Sequence, residues 1–427
     1  MNVRFAVVAA ASTLVALPGW GQGFQVGAAT NISISGLLAV GVKQSEVTNT
    51  ARPGMGSEFR VDDNTSRLII TSTSKITEGW NVVFRIESRF QADVRPVDPA
   101  FPGTTLYSGN ITGWADGDTW GGVSSPYGTL IFGKSTLYYT DTISVGYLAP
   151  SLEAPGESYR IWDDNGLGTF NMLDQVTPLS KTGVGAGSSF TLGNTRSRNV
   201  IRFNSVNYSG LDFSVAYSKN PDGDELKYVA PGTPGYAKSY TSGGTVYAGA
   251  RYNKGPWSAS ASFLDKKVNG GLYNPAAAAG PQDLQAARAG LSYKFPFNLK
   301  VGVVFDHTSI DNAVYSTPTS TVASEAAKRT VFEVPVSYGW GDHAVYATFS
   351  KAGETSSRSD TGARQLNLGY DYAMTKRAFI GVFFTQIDND KNARYTPFLA
   401  GSSLGGTANS VAGEKWHQVG INLNYWF

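Results

Sequence analysis

Taken two residues at a time, the C-terminal segment sorts into two faces. His417, Val419, Ile421, Leu423, Tyr425 and Phe427 fall on one side, and Gln418, Gly420, Asn422 and Asn424 on the other, with Trp426 the one apolar intruder. A period of two with one apolar face is the mark of a half-buried β-strand. Trp80 to Gln91 repeats it: Trp80, Val82, Phe84, Ile86 and Phe90 share a face interrupted by Ser88, opposite Asn81, Val83, Arg85, Glu87, Arg89 and Gln91. Ile32 to Lys43 does so again through Ile32, Ile34, Gly36, Leu38, Val40 and Val42.

The same reading predicts further strands at 67–76, 128–135, 202–207, 211–217, 246–252, 257–263, 287–295, 299–306, 331–338, 345–349, 365–372 and 378–384. Tight turns fall at Thr77–Gly79, Ser125–Gly128, Asn207–Gly210, Asn253–Pro256, Phe295–Phe297, Gly339–Asp342 and Met374–Arg377. Longer polar connections alternate with them, at Asn220–Ser242, Val268–Gln285, Ile310–Lys328, Ala352–Ala363 and Asn389–Gly413. Pro335 falls inside a predicted strand, where its missing N–H calls for a bulge or a strand end.

One strand does not say which face meets water. A soluble sandwich puts the charged face outside; a membrane barrel puts apolar side chains in lipid and charges in a watery lumen. About sixteen strands, with short turns at one end and long loops at the other, fit the barrel. So do aromatics near the ends of the apolar face, at the level of bilayer interfaces. Closure also removes the unpaired edges that an open sheet would have to hide. The expected fold is all-β: a transmembrane antiparallel β-barrel.

Composition narrows this further. Of 427 residues 49 are Gly and 12 % aromatic, and charged residues are only 16 %, against about 25 % in soluble domains. There are no Cys, which excludes disulfides, thiolate metal sites and Cys nucleophiles. A net charge of +2 gives no footprint for a nucleic acid partner. Arg4, the apolar run Phe5 to Leu17 and Pro18 before small residues read as a signal peptide over 1–28, cleaved between 21 and 28. That run is too short to span a bilayer, which takes about 20 residues. Residues 29–427 are then one barrel domain.

Three motifs invite chemistry and lack its context. GTLIFGKS at Gly128–Ser135 spells a phosphate-binding loop, but its middle is made of strand formers and no helix follows. GSSLG at Gly401–Gly405 spells a nucleophile elbow without the strand-to-helix turn it needs. NPDGDE from Asn220 resembles part of a calcium loop without the bidentate Glu at its twelfth position. No cofactor or metal is expected.

The order of ISISGLLAVGV, SRLIITSTSKITEGWNVVFRIES, SSPYGTLIFGKSTLYYTD, NVIRFNSVNYSGLDFSVAYS, TVYAGARYNKGPWSASASF, LGYDYAMTKRAFIGVFF and the terminal GINLNYWF resembles the Gram-negative general porins of β-proteobacterial type. The resemblance implies a 16-stranded outer-membrane barrel, a homotrimer, that passes ions and small hydrophilic solutes. It implies outer-membrane lipid and lipopolysaccharide as surroundings, and a terminal Phe427 read by the assembly machinery. It also implies that the third loop, here 138–195, folds into the lumen as the constriction. This loop is longer than the family's; its usual short motif is not recognisable after Asp141, and Thr182–Asn194 has no counterpart.

Strand parity puts Arg67, Arg85, Arg89, Arg198 and Arg202 on the lumen side. Lys134 is off parity, and the resemblance, in which a basic residue follows this glycine inward, implies a bulge at Gly133. Facing these cations the inward loop would set acids among Asp141, Glu153, Glu157, Asp163 and Asp164. Basic and acidic walls across a narrow low-dielectric channel make a transverse field and a mild ion preference, here expected to favour anions. The alternative within transport is a substrate-specific porin for a sugar or an aromatic or organic acid. Tyr138, Tyr139, Tyr147, Tyr159 and Trp162 would then line a stacking track. From another class, an adhesin or enzyme barrel would need a catalytic cluster or plug domain, and the sequence displays neither.

Overall fold

The computed structural model describes residues 22–26, 29–50, 56–63, 66–90, 114–115, 117–137, 196–219, 244–268, 282–317, 320–356, 359–393, 395 and 411–427. They form strands β1 (Gln22–Val26), β2 (Thr30–Thr48), β3 (Ser57–Asp63), β4 (Arg67–Thr77), β5 (Trp80–Arg89) and β6 (Thr119–Ser125). Next come β7 (Gly128–Thr136), β8 (Arg196–Ser205), β9 (Leu211–Lys219), β10 (Gly244–Lys254), β11 (Trp257–Val268) and β12 (Gln282–Lys294). The chain ends with β13 (Leu299–Thr317), β14 (Ser320–Trp340), β15 (His343–Ala352), β16 (Ala363–Ala373), β17 (Ala378–Asn389) and β18 (Lys415–Trp426).

All eighteen strands belong to one sheet, and it is closed. Each strand from β4 to β18 pairs antiparallel with the next, and β18 returns to β2 from Trp426↔Leu37 to Lys415↔Thr48. β3 and β4 lie end to end along the other edge of β2, against Val40–Glu46 and Thr30–Leu37 respectively. They count as one stave. With β1 set apart as a short extra strand on β2, the wall has sixteen staves. The expected all-β, 16-stranded antiparallel barrel is the fold found. No helix among the described residues is long and apolar enough to cross a membrane; this wall crosses with strands. β18 has 12 residues, enough for the about 9–11 tilted residues that cross the hydrocarbon.

Polarity is inverted relative to a soluble core. Lys266 and Arg288, on the inward faces of β11 and β12, are 1 % and 2 % exposed, whereas Phe305 and Val419 on the outward faces are 49 % and 52 % exposed. Along β18 the residues Gln418, Asn422 and Asn424 are buried while Val419, Ile421, Leu423 and Tyr425 are exposed. Only lipid makes an exterior of Val, Ile, Leu and Phe favourable, and only a polar lumen satisfies that interior. Aromatics gather at the short-turn end. Trp257 and Tyr293 meet edge-on at 4.7 Å, and Tyr338 stacks on Trp340 at 5.6 Å. That is an interfacial girdle.

Two details differ from the sequence reading. First, Ile310–Lys328 is not a loop: β13 and β14 run on to Thr317 and from Ser320, paired through register shifts near Ile310 and Val314. A polar, alanine-rich stretch carries no apolar alternation, yet neighbouring strands still pair its backbone. Second, Pro335 sits mid-strand without a bulge. β14 keeps one register with β13 from Leu299↔Tyr338 to Ile310↔Ala327 and skips the pairs opposite Pro335 and Val334. Gly302 makes room for the ring, since a Cβ there would lie 3.1 Å from Pro335 Cγ. β1 starts just after Gly21, the earlier of the cleavage positions considered.

Candidate permeation pathway

Alternation aims every second side chain of a stave into the lumen, and the charged ones meet there across neighbouring strands. On β5, Arg85 Nη2 lies 2.7 Å from Glu87 Oε2, and Arg67 on β4 approaches Glu87 Oε1 at 4.0 Å. On β8, Arg202 donates from Nε to Asn204 Oδ1 at 2.7 Å, from Nη1 to the Thr136 carbonyl at 2.8 Å and from Nη2 to Ser214 Oγ at 3.3 Å. Its guanidinium also lies 5.5 Å from the centre of the Tyr247 ring, close enough for cation–π attraction.

The wall continues likewise from β10 to β14. Arg251 on β10 holds Asp212 Oδ1 through Nε at 2.8 Å and Nη2 at 2.5 Å. Arg288 on β12 donates to its register partner Asp306 at 3.1 Å, and Thr308 donates to the other oxygen of that carboxylate at 3.0 Å. Glu333 on β14 accepts from Ser350 at 2.7 Å. Arg329, four residues nearer the long-loop end, donates to the Tyr395 hydroxyl and lies 5.3 Å from the centre of that ring. The wall thus carries fixed guanidinium groups on β4, β5, β8, β10, β12 and β14. Carboxylates stand among them on β5, β9, β13 and β14. Charges held in a low-dielectric wall around water focus potential along the path.

The residues expected to line the pore divide. Arg67, Arg85 and Arg202 lie on the inward face with the contacts given. Arg89 stands opposite Arg67 in the β4–β5 register; its side chain lies outside the described residues.

Lys134 and Arg198 require correction. The β7–β8 register does shift between Gly133 and Ser135, but the surplus residues are Lys134 on one strand and Arg198 and Asn199 on the other. The inward pairs are Ile131↔Arg202, Gly133↔Val200 and Ser135↔Ser197. Lys134 therefore stays off the lumen face and donates to the Ala115 carbonyl at 2.6 Å. Arg198 is exposed, and buried Ser197 takes the inward place because Asn199 adopts φ 54° and absorbs the kink.

Asp141, Glu153, Glu157, Asp163 and Asp164 lie outside the described residues, as do Tyr138, Tyr139, Tyr147, Tyr159 and Trp162. So do the Asn220 acidic run and GSSLG. Gly128–Ser135 belongs to β7, paired with β6 from Gly128 to Lys134 and with β8 except at Lys134, so it is a barrel strand and not a phosphate-cradling loop. Arg251, Lys266, Arg288 and Arg329 were missed, although strand parity carried through β10, β11, β12 and β14 would have placed each of them inward.

A closed antiparallel barrel with an apolar outside and a charged, hydrogen-bonded inside defines a membrane channel that crosses with strands. The chain belongs to the Gram-negative porin family, whose model matches residues 3–392. Among solved structures, the anion-selective porin from Comamonas acidovorans shares 18 % identity, with 93 % of this chain and 100 % of that chain covered, at a TM-score of 0.64. Salmonella typhi OmpF, in complex with daunomycin, shares 14 % identity over 95 % of this chain and 100 % of its own, at 0.57. The trimer form of in-vitro folded Vibrio cholerae OmpT shares 11 % over 94 % and 100 %, also at 0.57. No curated relative matches the sequence. The protein is a multi-pass outer-membrane porin, and its barrel is a water-filled diffusion channel for ions and small hydrophilic solutes.

Proposed function

We propose that the channel is a general one, weakly selective for anions, working as a homotrimer and without catalytic chemistry. The observation that carries the selectivity is the corner of the wall where Arg67 and Arg85 converge on one carboxylate, Glu87. Arg202, bonded to Asn204 and Ser214 and lying over the Tyr247 ring, stands on the same inward face. The anion-selective Comamonas porin among the structural neighbours supports the sign, and the trimer form of the Vibrio protein supports the assembly. In this reading the 138–195 connection turns inward and sets its acids opposite the arginines. Lipopolysaccharide surrounds the trimer, and the assembly machinery reads the strand ending in Phe427.

The test is the reversal potential of the purified protein in a planar bilayer under a potassium chloride gradient. It is expected to have the sign of chloride preference, with closures in groups of three. A potential favouring potassium overturns the selectivity, and independent single closures overturn the trimer.

A further inference from the structure

Six inward-facing positions at the long-loop end are apolar. Val331, Ala352, Ala363, Ile387, Trp416 and Val47 sit on six consecutive staves, β14 to β18 and β2, and all are buried. They adjoin through register pairs Val331↔Ala352, Ala352↔Ala363, Ile387↔Trp416 and Trp416↔Val47. Ala393 and Tyr395, from the β17–β18 connection, complete the same apolar cluster and are themselves 0 % exposed. An inward apolar side chain loses all contact with solvent only if something covers it from the lumen side. Ala393 and Tyr395 pack against them.

This cover is built into the structure. Asn389 donates from Nδ2 to the carbonyls of Tyr395 at 2.8 Å and Glu414 at 2.7 Å, and its Oδ1 accepts from Tyr395 N at 2.9 Å. Asn392 is tied to the β15–β16 connection, its N to the Asp360 carbonyl at 2.7 Å and its Nδ2 to the Ser359 carbonyl at 3.0 Å. Asn49, after β2, donates to the Gly413 carbonyl at 2.7 Å. Arg329 closes the arrangement from the wall side through the Tyr395 hydroxyl and ring.

We propose that Ala393 and Tyr395 form a fixed second constriction element, distinct from the third loop. It keeps the apolar patch at the long-loop end of β14–β18 and β2 dry and confines solutes to the sector in front of β4–β12, where Arg67 and Arg85 stand. The proposal rests on the chain being a diffusion channel, and the test separates the two.

Because the chain has no Cys, single cysteines report accessibility without background. Ala352→Cys and Ile387→Cys are compared with Thr73→Cys, an exposed position on the inward face of β4. The probe is a membrane-impermeant methanethiosulfonate, applied to protein reconstituted in lipid vesicles. Thiol reaction follows access, so Ala352→Cys and Ile387→Cys should react about tenfold or more slowly than Thr73→Cys. Adding Tyr395→Ala, or separately Asn389→Ala, should bring them to the control rate and raise single-channel conductance.

Labelling of Ala352→Cys at the control rate with the connection intact overturns the proposal. So does Tyr395→Ala leaving both labelling and conductance unchanged. If the parent protein conducts in bilayers, the channel reading stands whichever way the cysteines react. If it never conducts, that reading fails first.

Discussion

Among single residues, Arg85 and Arg288 carry the same charge but play different parts. The Arg85 side chain is 26 % exposed beside Glu87, whereas that of Arg288 is 0 % exposed against Asp306. A partly hydrated charge at the lumen surface acts on passing ions; a buried one acts mainly on its partner. Arg85→Gln is therefore expected to keep the folded barrel and move the reversal potential toward potassium. Arg288→Gln takes the Arg288 cation from Asp306, which keeps Thr308, and breaking one side of a buried pair costs about 3–5 kcal/mol. Its unfolding midpoint in urea, followed by tryptophan fluorescence, should fall clearly below the parent's, while Arg85→Gln stays within error of it. Parity made Arg85 and Arg202 legible in the sequence, because alternation alone decides which face a strand residue takes. Lys134 and Arg198 were not, since the number of residues in a register shift depends on how two strands meet.

At the scale of elements, legibility followed the strength of alternation. β5 and β18, with large apolar residues at every second place, stood out at once. β3, where only Phe59 and Val61 alternate among charged neighbours, did not, and β6 was hidden by its glycines. β13 and β14 extend through a stretch whose side chains give no signal, because backbone pairing continues where neighbouring strands supply the partner. Pro335 shows the same dependence on context. Its strand survives because Gly302 opposite has no Cβ to strike the ring, a fact invisible until the register is known. Gly302→Val would bring a Cβ to 3.1 Å from both Pro335 Cγ and Ser292 Cβ, an overpacking expected to cost about 1–3 kcal/mol. The temperature at which the folded band is lost in unheated-versus-heated gel electrophoresis should drop. Pairing the change with Pro335→Thr should restore much of it; no recovery would mean that Ser292, not the proline, is the obstacle.

For the molecule as a whole the decisive event is closure, since an open edge within hydrocarbon leaves backbone groups without partners. The closing seam is the β18–β2 ladder, and it finishes at the C-terminus. Gly36 N donates to the Phe427 carbonyl at 3.0 Å, and Phe427 N donates to the Gly36 carbonyl at 3.1 Å. The Phe427 ring lies across Gly36, where a Cβ would come to 2.4 Å from Cζ and 2.6 Å from the Arg67 carbonyl oxygen. Beyond that point β1 continues along the edge of β2 that β18 has just left. The terminal aromatic thus has a structural post at the seam besides any part in recognition by the assembly machinery, and the two separate by experiment. Gly36→Val leaves the C-terminal sequence unaltered but unseats the ring. If the seam matters, the purified variant should refold into detergent more slowly and lose its folded gel band at a lower temperature. Gly56→Ala, where nothing lies within 4 Å of the added Cβ, should behave as the parent. If Phe427 acts only as an assembly signal, Gly36→Val will refold in vitro as the parent does, and only removal of Phe427 will lower the amount of barrel in the outer membrane of cells.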